Sequence, residues 1–198
     1  SSVQLTVKSK IKSDLTYRVS DNTVTITDCK QSATGDLVIP STYDGKPVTT
    51  IGSYAFEDCS GLKSVTIPDS VTSIGSWAFL DYSSLKSVTI GDSVTSIGNG
   101  AFYGCSGLTS VTIGDSVTSI GWRAFALCSS LTSVIIEGNA PSLGQSVFAA
   151  VSDNAKLFVN PDATGFGETF GGLPVQILGK PKITLQPESQ IVEFGDSA

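Results

Sequence analysis

Histidine is absent from this 198-residue chain, so the residues left to consider for chemistry are four cysteines and a set of regularly spaced carboxylates. Cys59, Cys105 and Cys128 fall at multiples of 23 residues, and Asp69, Asp92 and Asp115 do the same. A serine or cysteine nucleophile normally needs an imidazole base, and imidazole is also the commonest metal ligand, so both chemistries lose their usual partner. The cysteines contain no Cys-x-x-Cys pair, which argues against zinc. A ladder of aspartates could bring carboxyls to the separation that retaining glycosidases use, or could line up cations. Catalysis, however, needs a pocket and two differently tuned carboxyls, and a repeated turn makes its aspartates alike. Aspartate at a turn already has a local role in side-chain to backbone hydrogen bonds. No catalytic residue, metal site or cofactor is expected.

The interval of 23 residues points to what must position these side chains. Ile51, Ile74, Ile97 and Ile120 each open the phrase Ile-Gly-x-x-Ala-Phe. Near-copies at such a period are the signature of a solenoid, whose units bury their apolar faces only against their neighbours. Each copy begins Leu-x-x-Val-x-Ile, at Leu62, Leu85, Leu108 and Leu131, and strand alternation turns the Leu, Val and Ile inward. One short parallel strand per repeat follows. Further inward columns are Val71, Val94 and Val117, the Ile column, and Phe56, Phe79, Phe102 and Phe125. The column Gly52, Gly75, Gly98 and Gly121 marks either a bend that a side chain would obstruct or a positive φ.

Both ends of the repeat degenerate. Leu15–Val19 and Thr23–Ile26 flank Ser20-Asp21-Asn22 as a β-hairpin expected to cover the first exposed strand edge. Leu37-Val38-Ile39-Pro40 matches Val65-Thr66-Ile67-Pro68 but has a turn five residues longer. Leu143 and Phe148 keep the Ile and Phe phases, and Leu157-Phe158-Val159 supplies a last strand, giving about six rungs and a sheet roughly 24 Å across. Cys105 and Cys128 would be neighbours on successive rungs, and the cysteine column reads as buried reduced thiols acting as small hydrophobes, with Cys29 unpaired in the cap.

These residues resemble the BspA-like, or treponemal-type, leucine-rich repeat family over about residues 14 to 178. The unit L-x-x-V-x-I-P-x-x-V-x-x-I-G-x-x-A-F-x-x-C recurs with two departures: Tyr82 stands in the cysteine column, and Gly91 and Gly114 replace the turn proline seen at Pro68. The resemblance implies a leucine-rich repeat solenoid with an N-terminal hairpin cap. It also implies a secreted or cell-surface protein of a host-associated microbe, engaged in adhesion or partner binding without a catalytic residue set. The chain then divides into a hairpin cap (1–36), repeats (37–160), a C-terminal cap (161–179), and a linker with one strand (180–198) that resembles the start of a bacterial immunoglobulin-like module. That last stretch is far shorter than such a sandwich, so the chain reads as a monomeric fragment of a longer modular protein.

With 12 basic and 18 acidic residues and no Lys/Arg stripe, nucleic acid is not an expected partner. No apolar run is long enough for membrane insertion. Two surfaces could take a partner such as a host matrix or cell-surface protein, or a glycan. The outward strand columns are nearly constant, Ser64, Ser87 and Ser110 beside Thr66, Thr89 and Thr112, and form a sheet of hydroxyls suited equally to solvent. The segments around each Ala-Phe vary instead and carry Tyr54, Trp77, Tyr103, Trp122 and Arg123 on one expected ridge. Aromatic residues and arginine are enriched at recognition hot spots, yet they could equally fold down as an outer layer of core. The alternative to a binding module is a passive stalk that holds other domains of the parent away from the cell.

Overall fold

The computed structural model describes residues 14–57 and 59–179. The linker and immunoglobulin-like strand expected over 180–198 lie outside the described residues.

Alternation of β-branched residues with Ser, Thr and Lys produces strands throughout, joined by turns. Leu15–Ser20 (β1) and Thr23–Cys29 (β2) form the N-terminal hairpin, followed by Thr34–Val38 (β3), Thr42–Tyr43 (β4) and Lys46–Ile51 (β5). Each full repeat then gives a longer strand and a two-residue one. These are Gly61–Ile67 (β6) with Ser73–Ile74 (β7), Ser87–Ile90 (β8) with Ser96–Ile97 (β9), Ser110–Ile113 (β10) with Ser119–Ile120 (β11), and Ser133–Ile136 (β12) with Ser142–Leu143 (β13). Lys156–Val159 (β14), Thr169–Phe170 (β15) and Leu173–Ile177 (β16) complete the order. Among the described residues no helix is long and apolar enough to cross a membrane.

The longer strands β3, β6, β8, β10, β12 and β14 run parallel in one sheet, six rungs as the period requires, and β16 adds itself beyond β14. Register follows the repeat without slippage through the regular copies, with Val65 opposite Val88, Val88 opposite Val111 and Val111 opposite Val134. A second sheet, which the one-strand reading did not contain, is built from the short strands in the order β1-β2-β5-β7-β9-β11-β13. It forms because Ile51, Ile74, Ile97, Ile120 and Leu143 enter the core from extended backbone and so pair with their counterparts on the next rung. The N-terminal hairpin therefore caps this second sheet, through β2 on β5, and among the described residues β3 is the edge of the longer-strand sheet.

Between the sheets lies one continuous core. The Leu, Val, Ile and Phe columns of the full repeats are all buried. Phe56, Phe79, Phe102, Phe125 and Phe148 stack face to face with centroids 4.6, 4.9, 5.1 and 5.7 Å apart. The glycine column is set by space, since Gly52, Gly75, Gly98 and Gly121 are not at positive φ. A Cβ on Gly75 would lie 2.5 Å from the Ser53 nitrogen, and one on Gly98 2.6 Å from the Gly75 carbonyl carbon. Hydroxyls pin the corners: Thr72, Thr95 and Thr118 each donate from Oγ1 to the carbonyl of the matching residue one rung back, at 3.2, 3.1 and 3.1 Å.

Candidate interaction surface

The Ala-Phe corner is where the repeat turns without a helix, and its geometry is unusual. Tyr54, Trp77, Gly100, Arg123 and Ser146 share one column, with φ of 59, 58, 59, 53 and 57°. Four residues on from each of the last four, Asp81, Gly104, Leu127 and Ala150 form a second left-handed column at 57, 72, 61 and 55°. Between the two columns the Ala and Phe point into the core, so the flanking side chains project outward. Left-handed backbone costs a residue with a Cβ about 1 kcal/mol or more relative to glycine. Gly100 and Gly104 show that the corner accepts glycine, and a glycine appearing once in each of two variable columns was the sequence signal for this conformation.

Backbone hydrogen bonds hold the corner in place. Tyr54 N–H donates to the Ser76 carbonyl at 3.1 Å, Trp77 N–H to Asn99 at 2.9 Å, Gly100 N–H to Trp122 at 2.8 Å and Arg123 N–H to Gln145 at 3.0 Å. The ridge is thus a ladder whose main-chain donors are consumed from rung to rung, leaving its side chains as the outward chemistry.

Four of the five ridge residues meet. The Trp77 ring makes edge contacts with Tyr103, centroids 5.4 Å apart at 71°, and with Trp122, 6.1 Å apart at 77°. The Arg123 guanidinium carbon sits 4.5 Å from the Trp122 ring centroid, a cation–π contact. Trp77 is partly packed, because its six-membered ring lies against Gly100 on the next rung, and Trp77 and Tyr103 are both half-buried. Trp122 and Arg123 are exposed. Tyr54, one rung before Trp77, stands apart from the cluster and is 47 % exposed, against 38 % for Trp122. Burial divides the ridge: Trp77 and Tyr103 form an outer packing layer, on which Trp122 and Arg123 are displayed.

The hydroxyl columns run in register across the longer-strand sheet, Ser64-Ser87-Ser110-Ser133 and Thr66-Thr89-Thr112. Ser64 donates to the Asp36 carboxylate at 2.7 Å. Ser87, Ser110, Thr66, Thr89 and Thr112 make no side-chain hydrogen bond within the described residues, unlike the corner threonines, so their hydroxyls are open to solvent or ligand. Ile135 and Phe158 continue the threonine column and make its far end apolar.

A profile of the BspA type leucine-rich repeat region matches residues 33–165 in six copies. The chain belongs to the BspA type leucine-rich repeat family. Among solved structures it is similar to the Treponema pallidum leucine-rich repeat protein TpLRR, at 27% identity and a TM-score of 0.67, over 75% of this chain and 69% of that one. It is also similar to a leucine-rich cell surface protein from Faecalibacterium prausnitzii, at 31% identity and a TM-score of 0.52, covering 74% of this chain and 43% of that protein. A leucine-rich repeat protein from Bacteroides capillosus matches at 34% identity and a TM-score of 0.56, over 63% of this chain and 95% of that one. No curated protein matches the chain.

Within this BspA type solenoid the cysteine column is divided. Cys29 is bonded to Cys59, with Cα atoms 5.9 Å apart, which corrects the reading of Cys29 as unpaired and of Cys59 as a reduced thiol. The pairing was hidden because Cys29 lies outside the periodic columns, and only the hairpin's docking brings it beside the first corner. Cys105 and Cys128 are free and buried, and their thiols donate to the Phe79 and Phe102 carbonyls at 3.1 Å. Burial, reinforced by the neighbouring Cys128, pushes the Cys105 thiol well above its ordinary range. Tyr82 fills the same column, fully buried and edge-on to Phe79 at 6.0 Å. The aspartates serve the turn: Asp69 accepts from the Asp92 N–H at 3.0 Å, and Asp115 from the Ser116 hydroxyl at 3.1 Å. Glu137, in the column of Pro68, Gly91 and Gly114, has its carboxyl raised by partial burial and by Asp92 and Asp115 nearby.

Proposed function

We propose that this chain is an extracellular or cell-surface interaction module of a host-associated microbe, which takes a protein or glycan partner on the solenoid surface. The observation that carries the proposal is the exposed Trp122–Arg123 pair, displayed on an aromatic layer in a repeat type whose relatives include a leucine-rich cell surface protein. Arginine and tryptophan are the residues most often responsible for binding energy at interfaces. The Cys29–Cys59 disulfide supports an oxidising compartment, as secretion would provide. The proposal includes no catalysis, since repeats of this type are typically non-enzymatic and the chain has no histidine.

The partial packing of Trp77 and Tyr103 favours a second reading, in which the ridge is structural and the chain is a passive stalk or spacer in a larger surface protein. Surface-binding of the chain to a panel of matrix proteins and glycans separates the two. Saturable binding that disappears in Trp77→Ala/Trp122→Ala, with the thermal melt of that variant checked alongside, supports the module. Absence of binding to every panel member leaves the stalk.

A further inference from the structure

The first rung is completed in one sheet and left open in the other. Beyond β5 the short-strand sheet continues through β2 and β1, whereas the longer-strand sheet stops at β3, whose one neighbour among the described residues is β6. Ile39 N–H donates to the Thr66 carbonyl, so strand alternation turns the amides of Asp36 and Val38 to the open side. The side chains of Asp36 and Val38 are exposed, Val38 by 63 %. An edge with free main-chain groups and an apolar side chain is a template for a further strand.

The chain itself carries a segment of matching chemistry. Residues 1–13 alternate in type, with Val3, Leu5, Val7 and Ile11 at odd positions and Lys8, Lys10 and Lys12 at even ones. They hold three lysines and no acidic residue, in a chain of 18 acidic and 12 basic residues. They also join the fold beside β3. The Asp14 carbonyl accepts from the Lys30 N–H at 2.7 Å, and β3 begins soon after, at Thr34. A segment that arrives at the beginning of β3 runs against it, so pairing with β3 is antiparallel. Thirteen residues reach at most ~45 Å when extended, and a five-residue strand covers about 17 Å, so the length suffices.

Opposite residues of an antiparallel pair share a face. β3 turns Leu37 into the core and Asp36 and Val38 outward. With an odd-numbered residue opposite Leu37, the lysines come out on the face of Asp36 while Val7 and Ile11 share the face of Leu37. A slip by one residue would turn lysine inward, so the alternation selects the face.

We infer that the open edge of β3 is the docking site of residues 3–12 of the same chain, with their lysines beside Asp36. The longer-strand sheet then gains at its N-terminal end what β2 gives the other sheet, and its edge is closed to pairing with other chains. The inference is independent of what the corner ridge binds.

Hydrogen exchange of the full chain, with Val7→Pro/Ile11→Pro beside it, tests the docking. The Asp36 and Val38 amides should exchange at least about tenfold more slowly in the native sequence than in the proline variant, while the Val111 amide is unchanged. Carbodiimide should couple Asp36 to Lys8, Lys10 or Lys12 within a single chain. Lys8→Glu/Lys10→Glu/Lys12→Glu should lose the protection, and adding Asp36→Lys should restore it. Equal exchange of the Asp36 and Val38 amides in the native and proline sequences overturns the docking. Protection that grows with protein concentration, with couplings between chains, gives the edge to a second copy and overturns the intramolecular occupant. Protection that survives charge reversal overturns the placement of the lysines on Asp36.

Discussion

The six-membered ring of Trp77 lies against Gly100 one rung later, so close that a Cβ on Gly100 would fall 2.3 Å from two of its ring carbons. Trp77 can occupy its place on the ridge only because the next copy of its own column lacks a side chain. Gly100→Ala should therefore destabilise twice, through the clash and through φ of 59°, by about 1–3 kcal/mol together. Urea melts would measure the loss, and a shift in tryptophan emission would report that the Trp77 ring has moved. Unchanged emission and stability would mean that Trp77 does not pack there.

Cys29 and Cys59 close a loop across 30 residues and fasten the hairpin to the first Ala-Phe corner. Chain-entropy arguments assign such a closure about 3–4 kcal/mol. Cys29→Ser/Cys59→Ser, or reduction, should lower the unfolding free energy by that amount, read from urea melts. Alkylation of the native protein should modify neither Cys105 nor Cys128, whose thiols are buried and, for Cys105, raised well out of the reactive range.

The phenylalanine stack couples the rungs, with Phe102 between Phe79 and Phe125 at 4.9 and 5.1 Å. Phe102→Ala should cost about 3–5 kcal/mol, since neither neighbouring ring can move into the space without leaving its own rung. Calorimetry of this variant should show whether the solenoid still melts in one step. A loss below 1 kcal/mol would contradict a shared core.

Glu137 gives the pH dependence a direction. Partial burial and the charges of Asp92 and Asp115 raise its folded pKa above its unfolded value. The folded state then holds a proton that the unfolded state has released, so this group's contribution is full below the unfolded pKa and is lost as pH rises through the folded one. Glu137→Gln should give a small rise in melting temperature at neutral pH and flatten the decline between mildly acidic and neutral pH. An unchanged pH profile would place the carboxyl away from the aspartates.

Tyr17 offers the same sign at the alkaline end. Its hydroxyl is buried without a hydrogen-bond partner among the described residues, its ring stacks on Tyr43 at 3.9 Å, and burial followed by Tyr43 pushes its pKa to about 12. Stability should fall between the ordinary tyrosine value of about 10 and this raised value, as the unfolded chain ionises first. Tyr17→Phe should remove that alkaline loss, and at neutral pH it should be neutral or stabilising by up to about 1 kcal/mol. Ultraviolet titration would show one phenol ionising late.

By itself the sequence determined the solenoid, because a period of 23 residues puts equivalent side chains in register whatever the details of the turn. Leu85, Val88, Ile90, Val94, Ile97 and Phe102 were legible as core for the same reason: one alternation repeated in each copy admits a single inward set. The tertiary structure decided what the period does not encode. Cys29 met Cys59 through the docking of a non-repeating hairpin, and the short strands became a sheet only when neighbouring rungs supplied their partners. Which ridge side chains face solvent depended on contacts between different copies, such as Trp77 on Gly100, and on left-handed corners that no propensity of Tyr, Trp or Arg would suggest. Columns are a property of one repeat, whereas surfaces are made between unlike copies, and so the fold was readable where the copies agree and the candidate site lies where they differ.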